Sequence, residues 1–136
     1  MITSNVYLTF NGNCEEAFNY YRAIFGGEFL MVGKFKDLPA DFNIHSEDAE
    51  KIYHIVLPIS DETCLQGADY SEALSHRKIQ FGNNISININ IDSPTGEDEA
   101  KQIFNCFAKD GEVLNDLSEV FWGGIYGVVQ DKFGII

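Results

Sequence analysis

Apolar and polar positions alternate from Asn5 to Phe10, where Val6, Leu8 and Phe10 are separated by Tyr7 and Thr9. This period of two predicts a strand with one buried face. The period then changes. In "NGNCEEAFNYYRAIFGG", Cys14, Ala17, Phe18, Tyr21, Ile24 and Phe25 fall near one helical face. Asn13 is placed to cap that helix, with Glu16 three residues on, and Gly26 and Gly27 end it. "EFLMVGKF" reads as a strand, the polar stretch from Asp37 to Glu50 as a loop, and "KIYHIVLP" and "TCLQGAD" as two further strands.

Beyond Tyr70 the polar stretch to Asn83 fits either a loop or a short helix that crosses between two halves. Then the order restarts. "NISININI" places Ile85, Ile87, Ile89 and Ile91 on one side of a strand and Asn84, Ser86, Asn88 and Asn90 on the other. A helix follows, opened by Thr95 with Asp98 in a loose capping box, striped by Ala100, Ile103, Phe104 and Phe107, and closed by Gly111. "EVLNDLSEV" and "GIYGVVQD" are again strands. "GGEF" after the first helix is answered by "DGEV" after the second, so the chain carries a weak repeat of half its length. The expected class is α+β, with two βαβββ modules at about residues 1–69 and 84–136 and a crossing segment at 70–83, in one domain. Each helix covers one face of its sheet and leaves the other curved, polar and open.

Composition agrees with a folded domain: 136 residues, 45% hydrophobic, 13% aromatic and 22% charged. Nine Lys and Arg against 21 Asp and Glu give a net charge of −12, which repels phosphate backbones and anionic lipid. Neither nucleic acid nor a membrane is an expected partner. The first residues lack the basic and apolar regions of a secretory signal, and no apolar run is long enough to span a bilayer, so a cytoplasmic location is expected. Cys14, Cys64 and Cys106 form no CxxC pair, and the simplest role for them is as small core residues in a reducing compartment.

Two blocks, "YLTFNGNCEEAFNYYRAIFGGEF" and "FWGGIYGVVQDKFG", carry a resemblance to a known family. The strand, G-x-x-x-E-A, helix and F-G-G-E of the first, and the F-W-G-G-x-Y-G then D-x-F-G of the second, resemble the PhnB-like branch of the vicinal oxygen chelate superfamily. Its relatives include glyoxalase I, extradiol dioxygenases and the bleomycin and fosfomycin resistance proteins. The resemblance covers nearly the whole chain. It implies sheets curled into a cleft (a glyoxalase/bleomycin resistance-like fold), a homodimer, and in many relatives one divalent metal held by His, Glu or Gln. A demethylubiquinone methyltransferase label is sometimes attached to this branch. The sequence shows no strand leading into a Gly-rich turn of the kind that seats a nucleotide-like cofactor.

By alternation, the side chains facing such a cleft are Tyr7 and Thr9, Cys64 and Gln66, and Ser86 and Asn88, none of them His, Asp or Glu. An eighth strand would begin near Phe133, which leaves the position from which relatives supply a carboxylate absent or nearly so. Of the three histidines, His45 falls in the polar loop, His76 in the crossing segment and His54 on a strand, with no shared ligand spacing. His54 fits either a half-buried hydrogen-bonded side chain or a pocket acid, base or ligand. The Ser86, Asn88 and Asn90 stripe fits either a solvated strand face or a hydrogen-bonding wall. Asp69 and Asp131, at strand ends, are candidate acids or bases, or else bond the backbone of the following turn. Gly127, in the middle of its strand, suggests a bulge or a close approach.

The functional expectation is a small-molecule-binding protein without a complete metal site or cofactor. Its candidate ligand-binding residues are Tyr7, Thr9, His54, Gln66, Ser86, Asn88, Trp122 and Tyr126. Its acidic charge suits a cationic ligand, with Trp122 or Tyr126 available for cation–π contact. The alternative is a divalent-metal-dependent enzyme of the glyoxalase or dioxygenase type acting on vicinal oxygens, with a weak metal site completed by substrate.

Overall fold

Strand β1 (Val6–Phe10) leads through a tight turn into helix α1 (Cys14–Phe25), followed by β2 (Met31–Lys34), β3 (Ile52–Pro58) and β4 (Cys64–Asp69). Helix α2 (Gly96–Asp110) and strands β5 (Glu112–Glu119) and β6 (Ile125–Gln130) complete the element order. The structure, a computed structural model, describes residues 1–75 and 77–136, so His76 lies outside the described residues. The chain divides into two compact units, Met1–Gln80 and Phe81–Ile136.

In the first unit the strands form one sheet in the order β1-β4-β3-β2, with β1 parallel to β4 and the other neighbours antiparallel. Helix α1 packs on β3 and β4. It buries Cys14, Ala17, Phe18 and Tyr21, and the sheet answers with Phe10, Ile55, Leu57 and Leu65, each 4% exposed or less. Edge-to-face contacts of Phe18 with Phe10 and with Tyr21 fix the centre of this core. Gly67 lets the helix approach closely, since a Cβ there would fall 2.7 Å from the Phe18 ring.

The helix start differs from expectation. Asn13 makes no side-chain capping bond. The acceptor is Asp69, at the end of β4, whose Oδ1 takes the N–H groups of Gly12 at 2.9 Å and Cys14 at 3.0 Å while Oδ2 takes that of Ile52 at 2.9 Å. A carboxylate distant in sequence thus satisfies the open N–H groups and complements the helix dipole. The expected strand "EFLMVGKF" is regular only at Met31–Lys34, and the loop after it winds through three short 3₁₀ turns at Phe35–Asp37, Ala40–Phe42 and Ser46–Asp48.

The second unit departs further from the expected module. "NISININI" belongs to no regular strand; its Ile87 N–H donates to the Ile136 carbonyl at 2.7 Å. Only β5 and β6 pair, antiparallel and with two register shifts. The first unit therefore has the strand, helix and three strands of βαβββ, whereas the second has a helix and two strands. Thr95 makes no side-chain cap, so the second capping box is also absent. Gly127 marks both an irregularity and a close approach: Asp116 and Leu117 of β5 stand opposite it between the pairs Asn115–Val128 and Ser118–Tyr126, and a Cβ would fall 2.7 Å from Phe104 of α2 and 2.9 Å from the Leu117 Cα. The stretch 70–83 holds no regular element among its described residues, only a turn in which Leu74 N–H meets the Ser71 carbonyl.

Candidate functional site

Directly paired residues of neighbouring strands share a face, so register decides which side chains lie opposite α1. Tyr7 pairs with Gln66, Gln66 with Val56, and Val56 with Met31, which makes one row across the first sheet. Thr9 pairs with Ala68, and His54 with Gly33. These residues alternate with the buried set that α1 covers, and Tyr7 and Thr9 are exposed while His54 and Gln66 are half-buried. Of the eight candidates, Tyr7, Thr9, His54 and Gln66 thus share the open face of the first unit.

A bulge sets the position of His54. Gly33 pairs with His54 and Lys34 with Ile52, so Tyr53 is the extra residue, and both Ile52 and Ile55 reach the core. The Tyr53 ring lies over Gly33, where a Cβ would enter the ring, and beside Phe35 at 6.4 Å between centroids. Simple alternation does not show this.

Tyr7 and His54 contact each other directly. Their rings stack at 5.7 Å with 15° between planes, and the Tyr7 hydroxyl lies 3.2 Å from His54 Nδ1. Partial burial, with a smaller contribution from Cys14, raises the Tyr7 phenol above its ordinary range, so the hydroxyl keeps its proton. With the phenol donating, Nδ1 accepts and Nε2 carries the imidazole proton; with Nδ1–H donating, the phenol oxygen accepts. Either way the pair uses Nδ1 and leaves Nε2 to a ligand. Gln66 and Thr9 add an amide and a hydroxyl on the same face.

Ser86, Asn88, Trp122 and Tyr126 belong to the second unit. Ser86 and Asn88 are exposed and lie on no strand, so the expected polar strand face is absent. Trp122 sits in the β5–β6 turn, 67% exposed, with Phe121 against it at 4.7 Å and Tyr126 at 6.5 Å between ring centroids. Gly123 and Gly124, both at positive φ, shape the turn that presents these rings.

The other titratable candidates have structural partners. Asp69 is occupied by three backbone N–H groups, one from the turn before α1, one from the first residue of α1 and one from β3, so it does not serve its own following turn. Asp131 does serve its turn, accepting from Phe133 N–H at 2.8 Å and Ile135 N–H at 2.9 Å. Cys14 is buried at the first turn of α1, and burial, followed by the negative charges of Asp69 and Glu15, pushes its thiol well above the ordinary range. It is a core residue without a thiolate. Cys64 is half-buried and Cys106 exposed, so the core role fits Cys14 alone. Among the described residues no three His, Cys, Asp or Glu side chains are grouped to hold a metal ion.

Sequence reasoning missed Val56 and Met31, the apolar part of the open face, because period-two patterns alone do not say which strands are neighbours. It also missed a groove on the second unit lined by Phe81, Gly82, Asn83, Gln130, Phe133 and Gly134.

Residues 3–136 match the family described as 3-demethylubiquinone-9 3-methyltransferase. The chain belongs to this family, the PhnB-like branch of the vicinal oxygen chelate superfamily. It is 26% identical to Protein YjdN of Escherichia coli strain K12, over 95% of this chain and 88% of that protein. The crystal structure of protein PA1353 from Pseudomonas aeruginosa is similar with a TM-score of 0.79 and 32% identity, over 99% of this chain and 93% of the other. A Bacillus cereus protein titled a putative 3-demethylubiquinone-9 3-methyltransferase, PhnB protein, matches with a TM-score of 0.72 and 20% identity, over 98% and 95%. The mixed α+β fold of this chain, with two helices and open sheets among the described residues, is similar to those of these two solved structures. No helix among the described residues is long and apolar enough to cross a membrane.

Proposed function

We propose that this PhnB-like chain is a small-molecule-binding protein whose ligand lies on the open face of the first sheet. The stacked, hydrogen-bonded Tyr7–His54 pair carries this reading: two polar aromatic side chains are held in fixed orientation on the side away from the helix. The phenol ring offers a π face, His54 Nε2 and the Gln66 amide offer directed hydrogen bonds, and Val56 and Met31 supply apolar area. A net charge of −12 favours a cation over an anion. The exposed Trp122 and Tyr126 form a second aromatic surface suited to the same ligand class.

The family description suggests methyl transfer, and the superfamily suggests a metal. The strand-to-helix turn at Phe10–Cys14 is the natural place for an anionic nucleotide-like cofactor, but Asp69 already occupies its N–H groups. One imidazole and one amide on the open face do not fit a resident divalent ion, which needs about three donors. No step is therefore assigned to either group. We further propose a homodimer and a cytoplasmic location. Ile85, Val113 and Leu114, 83%, 39% and 44% exposed, support the dimer as apolar side chains that a second copy would cover.

Thermal-shift titration with the N-methylquinolinium cation, and separately with Mn, Ni and Zn, tests the binding reading. The cation is expected to raise Tm saturably in the wild type and not in Tyr7→Ala. A several-degree rise with near-stoichiometric metal, and none with the cation, would instead favour the metal-dependent enzyme.

A further inference from the structure

The groove on the second unit has a volume of about 530 Å³, within the range of small-molecule sites. Its lining is chemically simple: two phenyl rings, two carboxamides and two glycines, with no charged side chain. Gln130 Nε2 donates to the Gly134 carbonyl at 3.4 Å, which orients the amide and leaves its Oε1 and one N–H. Gly134 holds φ at 88°, so the carbonyl is presented by a backbone conformation that a side chain would strain. Gly82 leaves space, since a Cβ there would meet only Asn84 Oδ1, at 3.5 Å.

These features select a ligand class. An anion gains nothing from an uncharged lining in a chain of net charge −12. A cation is also poorly served, because no carboxylate lines the groove and Lys132 Nζ already lies 5.3 Å from the Phe133 ring centroid. Phenyl walls favour a flat π system. A carboxamide with one acceptor and one donor matches a planar edge carrying adjacent N–H and C=O groups, the complement that Gln also finds on a nucleobase. We infer that this groove binds an uncharged planar heterocycle with a lactam edge, which pairs with the Gln130 carboxamide and rests on Phe81 or Phe133. The inference goes beyond the first-unit site and does not depend on it.

The test is a two-dimensional NMR titration of the isotope-labelled full chain with 2-quinolone as the lactam and N-methyl-2-quinolone as the analogue without the N–H. Saturable shifts are expected at Gly82, Asn83, Gly134 and the Gln130 side-chain amide. The N-methyl compound should bind up to about tenfold more weakly, the effect of one hydrogen bond. In Gln130→Leu the two compounds should bind equally, and Gly82→Leu, which fills the groove, should abolish both sets of shifts. Absence of saturable shifts at the groove, or equal affinity of the two compounds for the wild type, overturns the proposal. Shifts confined to Tyr7, His54 and Gln66 also overturn it, while leaving the first-unit site intact.

Discussion

The backbone N–H of Cys14 donates to Asp69 Oδ1 at 3.0 Å, one of three bonds by which a single carboxylate joins the end of β4 to the β1–α1 turn and to the start of β3. Asp69 is 5% exposed, so water cannot readily replace it. Asp69→Ala would leave these N–H groups without an acceptor, at about 1–3 kcal/mol for each that is buried. Two of the three are buried, those of Cys14 and Ile52, so the expected loss is at least about 2 kcal/mol, a fall in Tm on the order of 10 °C. Asp69→Asn keeps one acceptor oxygen and should fall between. Urea and thermal denaturation of the three proteins check this, and equal midpoints would remove Asp69 from its role.

Cys14 sits beside that carboxylate, and its thiol is held above the ordinary range by burial first and by Asp69 second. The folded chain therefore keeps a proton that the unfolded chain releases above pH about 8.5. Stability from this group is full below that pH and declines as pH rises through it toward the higher folded value. Urea midpoints at pH 7 and pH 10 should differ less for Cys14→Ala than for the wild type. An identical decline in both proteins would show that other groups set the alkaline limit.

Gly127 illustrates a packing requirement in the second unit. A methyl group there meets the Phe104 ring at 2.7 Å, which can swing aside, and the Leu117 Cα at 2.9 Å, which cannot without moving β5. Gly127→Ala is expected to destabilise by about 1–3 kcal/mol, the usual range for overpacking. Gly82→Ala, where a Cβ meets only Asn84 Oδ1 at 3.5 Å, should change stability by less than about 0.5 kcal/mol. Thermal denaturation of the pair separates crowding from any general effect of replacing glycine.

Local pattern identified both helices, the strands of the first unit and the β5–β6 hairpin, because each carries a clear period over its own residues. It failed where the deciding contact is remote. Asn13 has the chemistry of a cap, but the cap is Asp69, 56 positions away in the chain and brought near only by β1–β4 pairing. The Ile85–Ile91 alternation has the period of a strand, yet a strand needs a neighbour, and among the described residues this segment has one backbone bond, from Ile87 to Ile136. On the open face, alternation alone found Tyr7, Thr9 and Gln66. The stacking of Tyr7 on His54 needed the order β1-β4-β3 and the Tyr53 bulge, neither of which leaves a local signal.

The Tyr7–His54 pair separates two contributions to ligand binding, the π face of the phenol ring and its hydroxyl. Tyr7→Phe keeps the ring that stacks on the imidazole and removes the oxygen 3.2 Å from Nδ1. If the ring face holds the cation, N-methylquinolinium affinity should stay within about threefold in Tyr7→Phe and fall about tenfold or more in Tyr7→Ala, in line with a partly desolvated cation–π contact. Tyr7 is 52% exposed, so neither variant should lower Tm by more than a few degrees. The hydroxyl has its own readout: without it, the nitrogen NMR signals of His54 should shift toward a different tautomer balance while the cation still binds. Equal affinity of wild type, Tyr7→Phe and Tyr7→Ala would place the ligand away from this face.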